Sequence, residues 1–137
     1  MIIGKTELET LLSLRGKFPD MFITGSVAWG SDDPNDLDVV VKNQGNDFTW
    51  LGANGYETVV NENYMDSDPS IIAVFKAYFA PIHIQLVSED WFEVKRRVQE
   101  TLLVMFPWYI WKLMSKLSKR LLWRIFLEID YRRFHGS

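Results

Sequence analysis

Apolar residues near the start of the chain, at Leu8, Leu11, Leu12 and Leu14, recur at helical spacing behind Thr6-x-x-Glu9, which has the form of a capping box. The pattern predicts a helix that ends near Gly16, ahead of Pro19. The period then changes. Met21 to Thr24 is a short apolar run that predicts a buried strand closed by Gly25-Ser26. Ser26 to Trp29 fits the first turn of a short helix, and Asp32-Asp33-Pro34-Asn35 reads as loop. Asp36 to Lys42 is Val-rich enough for a central strand.

The second half of the pattern alternates short elements with polar joints. Phe48 to Leu51 predicts a short helix closing around Gly52 or Gly55, and Tyr56 to Val60 an edge strand. Residues 61–70 form a polar loop. Ile71 to Phe79 and Ile82 to Val87 read as two strands of a hairpin around Ala80-Pro81. Ser88, Glu89 and Asp90 are suited to open a helix that runs to about Phe106, where Pro107 breaks it. From Trp108 on, Ile110, Leu113, Met114, Leu117, Leu121 and Ile125 keep helical spacing, with Lys112, Lys116, Lys119 and Arg120 on much of the opposite side. The plain expectation is that this apolar stripe is buried on the domain or in a dimer. The order of elements predicts an α+β fold, with a small mixed sheet, helices packed on it and a C-terminal helical extension. Residues 1–90 would form the core and residues 91–137 the extension.

At 137 residues the chain is sized for one domain, and without cysteine it has neither disulfides nor thiolate metal sites. Met1-Ile2-Ile3-Gly4 is too short a run for a signal peptide, and no stretch suits a transmembrane segment, so a cytoplasmic location is expected. Charge divides the chain. Residues 1–90 carry five Lys/Arg against fourteen Asp/Glu, whereas residues 91–137 carry ten against four. The basic half could meet an acidic partner, nucleic acid, an anionic membrane surface or the acidic half of the same fold.

Candidate chemistry concentrates between Ile23 and Val41. Side chains at i and i+2 of a strand share a face, roughly 6.5–7 Å apart along the backbone. Asp36 and Asp38 can therefore aim two carboxylates at one point, an arrangement suited to Mg²⁺. A helix opening at Gly25-Ser26 would offer backbone N–H groups and a positive dipole end to phosphate.

This segment resembles the signature of the minimal, antitoxin-like nucleotidyltransferases of the DNA polymerase β superfamily. Gly25-Ser26 follows an apolar strand, nine residues separate Ser26 from Asp36, and Asp36-Leu37-Asp38-Val39 supplies the Asp-h-Asp-h pattern, where h is apolar. Ala28-x-Gly30 also matches the small members. The likeness is close over residues 21–42 and holds in outline over residues 1–90. It implies a nucleotidyltransferase core in which Gly25 and Ser26 hold the triphosphate of an NTP, and Asp36 and Asp38 carry Mg²⁺ or Mn²⁺. The transferred group would be a nucleoside monophosphate, AMP by default, and the acceptor a protein or RNA hydroxyl.

The family also implies a third carboxylate on a later strand. In Ile82 to Val87, Gln85 stands where that acid is expected, and His83 shares its face as a candidate general base. An amide cannot accept the nucleophile's proton, so this departure bears on turnover more than on nucleotide binding. The alternative is a catalytically weak or inactive nucleotidyltransferase fold that binds nucleotide, protein or RNA. Glu89, Asp90, Asp66 and Asp68 are nearby acids better explained by capping and loop solvation. The C-terminal helices, rich in Trp, Tyr, Lys and Arg, are the expected contact for a homodimer or protein partner, with RNA as the other option.

Overall fold

Alternating β-branched and polar residues build the centre of the molecule, a sheet whose two middle strands are parallel. The computed structural model describes residues 5–30, 37–59, 70–77 and 81–135, apart from the side chains of residues 5–7, 26 and 134. Its elements are α1 (Lys5–Lys17), β1 (Phe22–Thr24), α2 (Gly25–Ala28), β2 (Leu37–Lys42), α3 (Asp47–Ala53), β3 (Tyr56–Val59), β4 (Ile71–Ala77), β5 (Ile82–Val87), α4 (Glu89–Met105), α5 (Trp108–Trp111) and α6 (Lys116–His135). The strand order is β1-β2-β5-β4-β3. β2 and β5 pair in parallel, and the other neighbours are antiparallel. The fold is thus mixed α+β, as the element order predicts, and β3 is an edge.

Leu37, Val39 and Val41 of β2 point to one face with Ile82, Ile84 and Leu86 of β5, and all six are fully buried. They meet Leu11, Leu14 and Phe18 from the α1 region and Leu51 of α3. Burial of each such side chain contributes about 1.5–3 kcal/mol, enough to fix the register of both strands. On the opposite face Val40 and Val87 pack under Phe92 of α4. A second core lies further along the helices, where Trp29 joins Val94, Val98, Leu102, Trp111 and Leu127.

Several expectations change at the element ends. α1 spans Lys5–Lys17 with Thr6 inside it, and of its four leucines only Leu11 and Leu14 are buried. Ser88 occupies the N-cap of α4 with extended backbone, but its side chain makes no capping bond. Two helices carry the helical spacing from Trp108 on. Pro107 opens the one-turn α5, and Ser115 restarts the chain by accepting a hydrogen bond on its Oγ from the N–H of Ser118, 3.1 Å away.

The largest departure is in which side of the C-terminal helices faces inward. Trp111 and Leu127 are buried, and Trp123, Phe126 and Tyr131 pack around them. Leu113, Leu117, Leu121 and Ile125, expected to be buried on the domain or in a dimer, are not buried on the domain: all are at least half or nearly half exposed. The aromatics win because α4 and Trp29 offer large flat surfaces: Trp29 stacks on Trp111 at 4.5 Å, and Trp91 stacks on Tyr131 at 4.1 Å. No helix among the described residues is long and apolar enough to cross a membrane.

Candidate functional site: a polar row across the sheet

Strand register assembles the site. Reading across the sheet, Thr24 of β1 pairs with Asp38 of β2, Asp38 with His83 of β5, His83 with Lys76 of β4 and Lys76 with Glu57 of β3. Paired residues share a face, so one polar row runs from edge to edge of the sheet. The adjoining row is Phe22, Val40, Gln85, Val74 and Val59, apolar except for Gln85. The polar row lies where β2 and β5 begin, beyond the patch that Phe92 covers.

Asp38 is the centre of this row. Its Oδ1 lies 3.5 Å from Nδ1 of His83, and both side chains are about a quarter exposed. A half-buried pair of this kind is accessible to a ligand yet positioned by the strands beneath it. Behind Asp38 stands Gly25, at φ +71°. A Cβ at Gly25 would sit 2.5 Å from Oδ2 of Asp38, so any other residue there would make the carboxylate shift. Glycine at residue 25 thus lets the turn and the carboxylate approach as they do, on a left-handed backbone that other side chains rarely adopt. α2 is a single turn, so what it can offer a phosphate is backbone N–H groups rather than an extended macrodipole.

Of the residues singled out in the sequence, the structure brings Gly25, Asp38 and His83 together. Gln85 is on the same face one pair further along, and it is engaged elsewhere: its Oε1 accepts a hydrogen bond from Nζ of Lys95 at 2.7 Å. His83, not Gln85, is the β5 residue beside Asp38. Asp36, Asp66 and Asp68 and the side chain of Ser26 lie outside the described residues. Glu89 and Asp90 are exposed in the first turn of α4. Among the described residues no three His, Asp or Glu side chains converge as a metal-binding group. Two adjoining clefts, of about 160 and 560 Å³, lie between α4 and α6, and no residue of the polar row lines them.

Lys95 and Gln99 of α4 are two of the buried polar residues that a sequence reading passes over. Lys95 is 2% exposed, with Nζ also 3.5 Å from Ser70 Oγ and 5.7 Å above the ring of Trp123. Gln99 donates from Nε2 to the carbonyl of Ile23 at 2.7 Å, which holds edge strand β1 against α4. Their signal was present in the helical period: Phe92, Lys95, Gln99 and Leu102 fall on one face of α4, and two of the four are polar.

No family model matches the chain, and no curated protein or solved structure matches it.

Proposed function

We propose that the chain is a nucleotidyltransferase-like protein that binds an NTP with a divalent metal at the Gly25–Asp38–His83 end of the sheet. The close approach of the Gly25 turn to the Asp38 carboxylate carries this reading. It juxtaposes the two halves of the sequence signature, which are separated by a dozen residues of chain. The sequence likeness at residues 21–42 and the mixed sheet are its further support.

Asp38 is a hard oxygen donor suited to Mg²⁺, with Asp36, two positions earlier, as the second acid of the signature. A bound divalent ion would neutralise phosphate charge and polarise the α-phosphate. The backbone at Gly25 and Ser26 would hold the triphosphate. His83 would take the proton of the acceptor hydroxyl as its oxygen bonds to the α-phosphorus, and pyrophosphate would leave with the electrons of the broken P–O bond. A protein or RNA hydroxyl is the proposed acceptor.

Calorimetric titration of ATP with Mg²⁺ or Mn²⁺ tests the site. Wild type should bind, and Asp38→Asn should lose metal-dependent affinity while keeping its thermal unfolding midpoint. Equal affinities would remove the assignment. The engagement of Gln85 with Lys95 favours a second reading, nucleotide binding without turnover. Binding with no release of pyrophosphate in the presence of cell protein and RNA would select it.

A further inference from the structure

α6 is apolar on two sides, and the fold covers only one of them. Trp123, Phe126, Leu127 and Tyr131 join the inner core. Leu117, Leu121, Ile125 and Ile129, four residues apart, form an outer stripe that winds about a third of a turn around the helix and is 66%, 50%, 49% and 58% exposed, with Ile129 at the rim of the cleft facing α4. Leu113, 82% exposed, continues it towards α5. An unbroken aliphatic row of this length is unusual for a surface that faces only water.

Charge indicates what covers it. Three positions after Leu117, Leu121 and Ile129 stand Arg120, Arg124 and Arg132, all exposed, so a cationic row runs beside the apolar one. The acid in that row, Glu128, pairs with Arg124 at 3.4 Å, and the other acid of the helix, Asp130, pairs with Arg97 at 2.9 Å. A second copy is a poor match. Antiparallel two-fold pairing through the apolar row would bring the same flank of both helices together and face a row of three arginines and one glutamate with itself, a net like-charge contact. A nucleic acid would answer the arginines but leave the aliphatic row in water. An anionic lipid surface answers both, because acyl chains take the aliphatic row while the arginine stems reach up to the headgroups.

We propose that α6 is an interfacial helix that docks the protein on anionic phospholipid, with Leu117, Leu121, Ile125 and Ile129 entering the acyl boundary. This is independent of what the polar row binds. Flotation of the full chain with extruded vesicles tests it, using phosphatidylcholine alone and an equal mixture with phosphatidylglycerol. The chain should float with the mixed vesicles, bind phosphatidylcholine at least about tenfold more weakly, and lose binding as salt is raised. Leu121→Asp with Ile125→Asp should abolish flotation with far-UV circular dichroism unchanged. Arg120→Gln with Arg124→Gln should weaken it by about tenfold or more, and both side chains are exposed. Absence of flotation with the mixed vesicles would overturn the proposal, as would equal binding to both vesicle types. If the chain instead forms a dimer that the double Asp variant dissolves, or is retained on RNA without floating, the row serves those contacts and the lipid assignment fails.

Discussion

Gly25 and Asp38 constrain each other, and the constraint is measurable. Alanine at residue 25 would meet both a left-handed backbone and the Asp38 carboxylate, a combination expected to cost about 1–3 kcal/mol. In an Asp38→Ala background the collision is gone and only the backbone term is left. Urea unfolding should therefore show a smaller penalty for Gly25→Ala there than in wild type, and equal penalties would mean the two groups do not press on each other. Tyr56 offers a second residue-scale test. Burial pushes its phenol from 10.0 up to about 12. Above pH 10 the unfolded chain releases this proton while the folded chain keeps it, so stability falls as pH rises from 10 to 12. The loss should approach roughly 2–3 kcal/mol, and Tyr56→Phe should flatten that part of the profile in denaturant titrations. At this scale the sequence was informative where the signal is local. Gly25, Asp38 and His83 are legible from a turn residue and from period-2 alternation. That His83, rather than Gln85, stands beside Asp38 depends on the pairing of β2 with β5, strands separated by forty residues, and alternation alone cannot supply a register.

Elements were legible when a period or a breaker marked them, and less so when two apolar faces competed. The five strands of the sheet and the Pro107 break follow from alternation and proline chemistry. The inward side of α6 does not, because aliphatic and aromatic residues recur on opposite faces with similar spacing, and an edge-on contact with Trp29 and stacking on Trp91 decide between them. α4 shows a further consequence of element packing. Lys95 brings a buried ammonium against Gln85 of β5, so Gln85→Leu should cost roughly 1.5–3 kcal/mol, the range for a hydrogen bond to a charged group. Adding Lys95→Met to Gln85→Leu should recover much of that loss, since an apolar pair replaces a buried charge that has lost its 2.7 Å hydrogen bond. Gln85→Glu would place a carboxylate against Lys95, not against Asp38. It should keep or raise stability and leave any nucleotidyl transfer unchanged; a gain in transfer rate would show that residue 85 reaches the site after all. Chemical denaturation and a pyrophosphate-release assay separate these outcomes.

At the scale of the whole molecule, one residue ties the two halves together. Trp29 follows directly on α2, the turn that begins with Gly25, yet its ring is in the helical core. It stacks on Trp111, meets Trp123 edge-on at 6.1 Å, and donates from Nε1 to the carbonyl of Phe106, 3.0 Å away at the end of α4. The basic C-terminal helices are thus part of the support for the Gly25 turn, not an appendage to an acidic core. Trp29→Ala should cost about 3–5 kcal/mol, the range for removing a large buried aromatic, and that is a sizeable share of the 5–15 kcal/mol typical of a domain. The loss should fall unevenly. The ring belongs to the helical core and not to the core made by α1, α3 and the inner face of the sheet, so hydrogen exchange should lose more protection in α5 and α6 than in α1. Equal loss in α1 and α6 would instead show that the two cores open as one cooperative unit. Under the proposed function the same variant should also weaken binding of ATP with metal, although Trp29 is no member of the polar row, because the turn that faces Asp38 would have lost its anchor.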